Sequence, residues 1–327
     1  MKIYAFETRD DEEVYFNKME KKYGVEIVRD IDPLDFERID ELEEGSLVTV
    51  LGMQHYGGLK MKALASRGIT CLSTRTIGYN HIDLDAAKKY GVHVCNARYA
   101  PDGVADYTVM MLLLCLRCYK MALWRMQVND FSLDGMLGRE IHNLTVGVVG
   151  TGHIGSQVIR DLSGFGCRIL CASRHQNPEL LGLAEYVSLD EIYKECDVIS
   201  FHLALTPETE HMINAESIGK MKDGVILINC ARGGLMDMAA LIDGIESEKI
   251  GALGLDTVEN EEEIVHKDRK NDIFSDRDIA YLRQFKNVVY TQHMAFYTGE
   301  AVESMVTCGV EGVLAMHEGK EYPTQLC

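Results

Sequence analysis

The stretch TVGVVGTGHIGSQVIRDLSGFG carries three glycines, Gly150, Gly152 and Gly155, spaced G-x-G-x-x-G. They follow an apolar run that reads as a strand and open a segment with helical periodicity. In that setting Gly150 permits a tight turn, Gly152 lets the backbone approach a pyrophosphate, and Gly155 allows close helix–strand packing. Peptide N–H groups at the start of the helix, those of His153 and Ile154, then face the phosphates with the positive end of the helix dipole. The expected ligand is a dinucleotide. The next candidate strand ends ILCASRH, where an acidic residue would hold a ribose 2′-hydroxyl. Ser173 stands there instead, followed by Arg174 and His175. A hydroxyl beside a guanidinium suits a 2′-phosphate, so NADP(H) is favoured, with NAD(H) possible. Cys115 and Cys118 form a CxxC without a second pair at zinc-site spacing, inside an apolar helical stretch. They read as core packing, and no metal is expected.

The elements that would position such a loop run almost from end to end. Candidate strands are Lys2–Glu7, Val25–Arg29, Ser46–Leu51, Ile69–Thr74, Val92–Asn96, Thr145–Gly150, Arg168–Ser173, Asp197–His202, Val225–Cys230, Ile250–Asp256 and Asn287–Thr291. Amphipathic segments such as Glu13–Tyr23, Leu84–Tyr90, Ile154–Phe165, Glu216–Met221 and Ala239–Ser247 lie between them. Strict alternation predicts parallel sheets covered by helices on both faces. Two longer helical stretches, Asp102–Met126 and Gly299–His317, bracket the middle of the chain. They suggest a nested arrangement, in which the N-terminal part is completed by the C-terminal tail. The acidic stretch Asn260–Arg277 is predicted to be a loop.

The chain has 327 residues, enough for two domains, and is 46% hydrophobic and 26% charged. Its N-terminus turns acidic too early for a secretory signal, and the most apolar stretch, Thr108–Leu116, is far too short to span a bilayer. The expectation is a cytoplasmic protein with reduced cysteines and no membrane partner. A net charge of −18 repels phosphate backbones, so nucleic acid is not an expected partner. It also requires that any site for an anionic substrate be locally basic.

Beyond the glycine loop, the stretches STRTIGYNHID, YAPDGVADYT, FHLALTPETEHMIN, INCARGGLMD, GLDTVENEEE and VVYTQHMAFYT resemble the D-2-hydroxyacid dehydrogenase family over nearly the whole chain. The similarity is greatest to its D-lactate, vancomycin-resistance and phenyllactate dehydrogenase branch. The resemblance implies two Rossmann-like parallel-sheet domains, one flavodoxin-like and one dinucleotide-binding, with a cleft between them. Residues 1–100 plus 297–327 would bind substrate, and residues 101–296 would bind the dinucleotide. The family's catalytic Arg, Glu and His fall on Arg232, Glu261 and His293. His293 would be the general acid, Glu261 would orient it, and Arg232 would bind the substrate carboxylate and polarise the carbonyl. His202, Thr209, Cys230, Ala231 and Asp256 fall on cofactor-binding positions, Asp256 on the nicotinamide carboxamide. The backbone N–H groups of Ile77, Gly78 and Tyr79 would anchor the carboxylate. Tyr99, Leu51, Gly52, Phe296 and Tyr297 would line the side-chain pocket. The chain departs from common family patterns at Ala204, Gln292 and Asp106.

The implied reaction is reduction of a 2-keto acid to its D-2-hydroxy acid, pyruvate to D-lactate being the leading substrate. The small Leu51-Gly52 pair leaves phenylpyruvate and 2-oxoisocaproate as competitors. A cofactor-gated, corepressor-like binding protein is the alternative from another class. A homodimer is expected. The apolar positions Val109, Leu112, Leu113 and Leu116 of the Asp102–Met126 stretch exceed what a surface helix needs, and either an interface or internal packing would account for them.

Overall fold

The structure, a computed structural model, describes residues 2–52, 54–261 and 264–327. Glu262 and Glu263, which fall in the expected loop and in the GLDTVENEEE stretch, lie outside the described residues. The chain divides into two units, one running up to Ala100 and resuming at Tyr297–Cys327, the other Pro101–Phe296.

The first unit is a five-stranded sheet of β1 (Lys2–Ala5), β2 (Glu26–Arg29), β3 (Leu47–Val50), β4 (Cys71–Thr74) and β5 (His93–Cys95). All its pairs are parallel, in the order β2-β1-β3-β4-β5. One face packs Val48, Val50 and Leu72 against α2 (Phe36–Glu41), α3 (Gly58–Ser66) and α4 (Leu84–Tyr90). The other packs Ile3, Ala5 and Cys71 against α1 (Glu13–Tyr23) and the C-terminal helix Gly299–His317. That helix contributes Val306, Val310 and Val313, a stripe at i, i+4, i+7. Cover on both faces is why the strands read as unbroken apolar runs. The strand order reverses between β1 and β3, so the loops leaving their carboxyl ends open side by side.

The second unit begins with α5 (Asp102–Leu116) and α6 (Tyr119–Met126). It continues through β6 (Thr145–Val149), α7 (His153–Ser163), β7 (Arg168–Ala172), β8 (Glu185–Tyr186), α8 (Leu189–Glu195), β9 (Val198–Phe201) and α9 (Ala215–Lys220). The last elements are β10 (Val225–Asn229), α10 (Met238–Glu246), β11 (Ile250–Leu255), α11 (Arg277–Leu282) and β12 (Val288–Tyr290). The sheet order is β12-β11-β10-β9-β6-β7-β8, again wholly parallel. It reverses between β6 and β9, where a doubly wound sheet opens a crevice for ligands.

One expectation changes. The Asp102–Met126 stretch is not one helix, because Cys118 adopts a left-handed conformation (φ 50°) and α5 and α6 meet at 67°. Tertiary contacts override the helical pattern there: just beyond the break, Lys120 donates to the carbonyls of Arg283, Phe285 and Val288 and lies over the Trp124 ring. Of the apolar positions on α5, Val109, Leu112 and Leu116 are buried and Leu113 is half-buried. Among the described residues, no single helix is long and apolar enough to cross a membrane.

Candidate active site

The glycine loop sits at the reversal point of the second sheet. Gly150 has φ 95°, and a Cβ there would lie 2.4 Å from the His202 carbonyl oxygen. A Cβ on Gly155 would lie 1.9 Å from the Gly150 carbonyl oxygen, so that glycine is required by helix–strand contact. Gly152 differs: nothing lies within 4 Å of its missing Cβ. The backbone before α7 is therefore open to an approaching group. Gly152 is also the residue before α7, and no side chain caps the helix, leaving the N–H groups at its start for a ligand. The fit to a dinucleotide pyrophosphate is good.

Around this loop, Ser173, Arg174 and His175 are exposed beyond β7. Glu208 lies close enough to Arg174 for its carboxyl to be lowered, first by the Thr206 side chain and in smaller part by that guanidinium. Thr209 closes its own turn, accepting from the Thr206 N–H at 2.8 Å and donating to the Ala204 carbonyl at 2.7 Å. His202, at the end of β9, holds Ser200 Oγ at 2.9 Å from Nε2, and burial pushes its imidazole down to about 4. Cys230 is buried beside Ala231 after β10, and burial pushes its thiol well up.

Arg232, Glu261 and His293 come from the ends of β10, β11 and β12. Asn229, fully buried at the end of β10, accepts from the Ala231 N–H at 3.0 Å and donates to the Arg232 carbonyl at 2.9 Å, shaping the turn from which Arg232 projects. Gly233 follows, and a Cβ there would stand 2.0 Å from the carbonyl of Val258. The Arg232 turn and the Val258–Glu259 peptide are thus in direct backbone contact. Glu261 accepts from the Val258 N–H through Oε2 at 3.1 Å and holds His293 Nδ1 through Oε1 at 2.7 Å. A carboxylate with both oxygens accepting fixes the proton of His293 on Nδ1, leaving Nε2 as the atom that exchanges protons.

His293 itself sits at φ 54°, rare for a residue with a side chain, and its N–H donates to the Asp256 carbonyl at 2.8 Å. The fully buried Asp256 carboxylate organises the same turn: Oδ1 accepts from Thr291 Oγ1 at 2.6 Å and the Met294 N–H at 2.9 Å, Oδ2 from the Ala295 N–H at 2.8 Å. Asp256, expected on the carboxamide, is therefore already engaged by three donors of the protein. The rings of His266 and Phe296 flank His293 at 6.2 and 6.4 Å, and His266 Nε2 donates to the His293 carbonyl at 3.0 Å. Asn229, Thr291, Gly233 and His266 were not singled out from the sequence. The partners of Thr291, Gly233 and His266 lie in distant segments, so no local spacing announces them, whereas Asn229 bonds within its own turn, to Ala231 and Arg232.

In the first unit, Glu7 Oε2 accepts from the N–H groups of Leu51 and Gly52 at 2.9 and 2.6 Å. Gly52 has φ 92°, and the His81 ring occupies the space its Cβ would take, at 2.6 Å. Arg75, wholly buried, pairs with the equally buried Glu12 at 2.7 Å and donates to the Phe6 carbonyl at 2.9 Å. The turn that follows holds Ile77, Gly78 and the exposed Tyr79. Asn96 Nδ2 donates to the Ile77 carbonyl at 2.7 Å. Tyr99 is half-buried and Tyr297 is exposed.

Residues 109–295 match a family model described as D-isomer specific 2-hydroxyacid dehydrogenase, NAD binding domain. An aromatic 2-oxoacid reductase of Clostridium sporogenes is 43% identical over 94% of this chain and 93% of its own length. The D-lactate dehydrogenase of Escherichia coli is 33% identical with both chains covered completely. The solved structure of a D-2-hydroxyisocaproate dehydrogenase superposes with a TM-score of 0.91 at 30% identity, over 100% of this chain and 99% of that one.

Proposed function

Since the chain belongs to the D-isomer specific 2-hydroxyacid dehydrogenase family of oxidoreductases, we propose that Arg232, Glu261 and His293 reduce a 2-keto acid to its D-2-hydroxy acid. The observation that carries the assignment is the 2.7 Å contact from His293 Nδ1 to Glu261, which leaves Nε2 as the proton-exchanging atom. A nicotinamide dinucleotide bound at the glycine loop supplies the hydride. His293 Nε2 delivers the proton to the carbonyl oxygen, and Glu261 orients the ring through Nδ1. Arg232 binds the carboxylate with paired N–H donors and answers the negative charge of the molecule as a whole. The peptide N–H groups of Ile77, Gly78 and Tyr79 anchor the same carboxylate, and Leu51, Gly52, Tyr99 and Phe296 face its side chain. Pyruvate is the expected substrate from the sequence, and phenylpyruvate is expected to have the higher kcat/KM, in keeping with the name of the 43%-identical relative.

NADP(H) is the preferred cofactor, on the strength of Ser173 and Arg174 in place of an acid. The protein works in the cytoplasm as a homodimer. Exposed apolar side chains at Leu123, Trp124, Phe131, Leu133 and Leu137 support that assembly. Light scattering should give twice the chain mass, and Leu133→Asp with Leu137→Asp should halve it. The test of the function itself is NADPH and NADH oxidation with pyruvate and phenylpyruvate, repeated with His293→Ala. Turnover abolished in the variant supports the assignment. Cofactor binding without turnover of either acid overturns it and favours a cofactor-gated binding protein.

A further inference from the structure

We propose that His81 is a positioning residue that sets both edges of the substrate pocket, and so tunes which keto acid side chain is accepted. The inference rests on reading Ile77–Tyr79 as the carboxylate anchor and Leu51–Gly52 as the wall beside the side chain. The wall is clamped from two sides. Glu7 takes its two N–H groups, and the His81 imidazole fills the space over Gly52, 2.6 Å from where a Cβ would stand. The His81 main chain adds a further tie, its carbonyl accepting from the Tyr56 N–H at 2.7 Å, with the two rings edge to face at 6.3 Å. The glycine that makes the wall look small in sequence therefore does not leave an empty pocket. It leaves a seat for His81.

The other edge is reached through hydroxyl groups. His81 Nε2 is 3.2 Å from Thr74 Oγ1, which is 2.7 Å from Thr76 Oγ1, which donates to the Gly78 carbonyl at 2.7 Å. A carbonyl only accepts, so Thr76 gives its one proton to Gly78 and must receive the proton of Thr74. Thr74 then has none left to give and accepts from His81, which fixes the imidazole with its proton on Nε2. The result is a one-way chain from His81 to the peptide of the anchoring turn. Thr74 is fully buried, which keeps water from replacing its part of the chain. A single ring thus sets the place of the wall by packing and the place of the anchor by hydrogen bonding.

The two functions separate in variants. With NADPH saturating, His81→Ala should raise the KM for pyruvate about fivefold or more with kcat little changed, because anchoring acts equally on substrate and transition state. It should also raise the phenylpyruvate-to-pyruvate ratio of kcat/KM at least about threefold, as the wall settles into the vacated space. Thr76→Val cuts the chain without touching the wall, so KM should rise for both acids and the ratio should stay put. His81→Gln, which keeps a donor, should recover most of the KM effect. A folded His81→Ala protein with wild-type KM and ratio overturns the inference. If that variant fails to fold, Thr76→Val decides, and an unchanged KM there overturns it equally. Wild-type protein inert toward both acids is a different failure, one that removes the dehydrogenase assignment itself.

Discussion

Glu261 divides its carboxylate between the Val258 N–H and His293 Nδ1, and that division determines what a substitution does. In Glu261→Gln the amide oxygen can keep the Val258 bond, but the other position becomes an N–H donor facing Nδ1. The ring must then surrender its Nδ1 proton or lose the contact, and either way the ready acid at Nε2 is lost. The expected kcat falls by about 10²–10⁴-fold with KM changed far less, checked by steady-state kinetics of a variant whose melting curve matches wild type. Ser173→Asp places a carboxylate where a 2′-phosphate would lie. It should lower the NADPH-to-NADH ratio of kcat/KM by about tenfold or more, and an unchanged ratio would remove the case for a 2′-phosphate site. These residues could be singled out from the chain because they fall in motifs or occupy a position with a stated chemical preference. Glu7 could not, and Arg75 and His81, though they lie within the STRTIGYNHID stretch, show nothing there of the partners they take. Glu7 meets Gly52 across 45 positions and Arg75 meets Glu12 across 63, and their types alone are those of ordinary surface residues.

At the scale of the elements, the alternation of apolar runs with amphipathic segments was enough to give two parallel sheets, since a strand apolar at consecutive positions needs cover on both faces and the intervening helices supply it. The left-handed break at Cys118 was not legible, because neither glycine nor proline marks it. It follows from the pull of Lys120 on three carbonyls distant in sequence. The two-residue strand β8 is too short to leave a pattern. Glycines separate most sharply once the elements are in place. Gly152→Ala adds a methyl where nothing lies within 4 Å, so the melting temperature without cofactor should hold. The KM for NADPH should rise, because the methyl intrudes on the phosphates. Gly233→Ala puts a methyl 2.0 Å from the Val258 carbonyl and must displace the peptide that leads to Glu261. A stability loss of about 1–3 kcal/mol and a fall in kcat are expected together, read from urea unfolding and from turnover. A Gly233→Ala protein as stable and active as wild type would mean that the Arg232 turn and the Glu261 loop are not rigidly joined.

For the molecule as a whole, the net charge of −18 and the half-buried imidazole of His202 push the acid response in opposite directions. Acidification from neutrality reduces the self-repulsion of an acidic chain, which favours the folded state. His202 opposes this. Its ring is pushed down to about 4 by burial, against an ordinary value near 6.5, so between these values the unfolded chain binds a proton that the folded one refuses. Stability linked to His202 is therefore complete above about pH 6.5, is lost as pH falls toward 4, and changes no further below that, with a steepest slope of about 1.4 kcal/mol per pH unit. His211 has the opposite sign, since Glu259 raises it. Its contribution is complete below the ordinary value and fades as pH rises through the raised one, so it does not imitate the His202 signal. Subtracting the unfolding free energy of His202→Asn from that of wild type, measured in urea from pH 8 to 4, cancels the charge background common to both. The difference should be flat from pH 8 to about 7 and then fall by about 3 kcal/mol at most on approaching pH 4. A difference flat across the whole range would show that the ring is charged in the folded protein, and that the strand end beside the glycine loop is open to water.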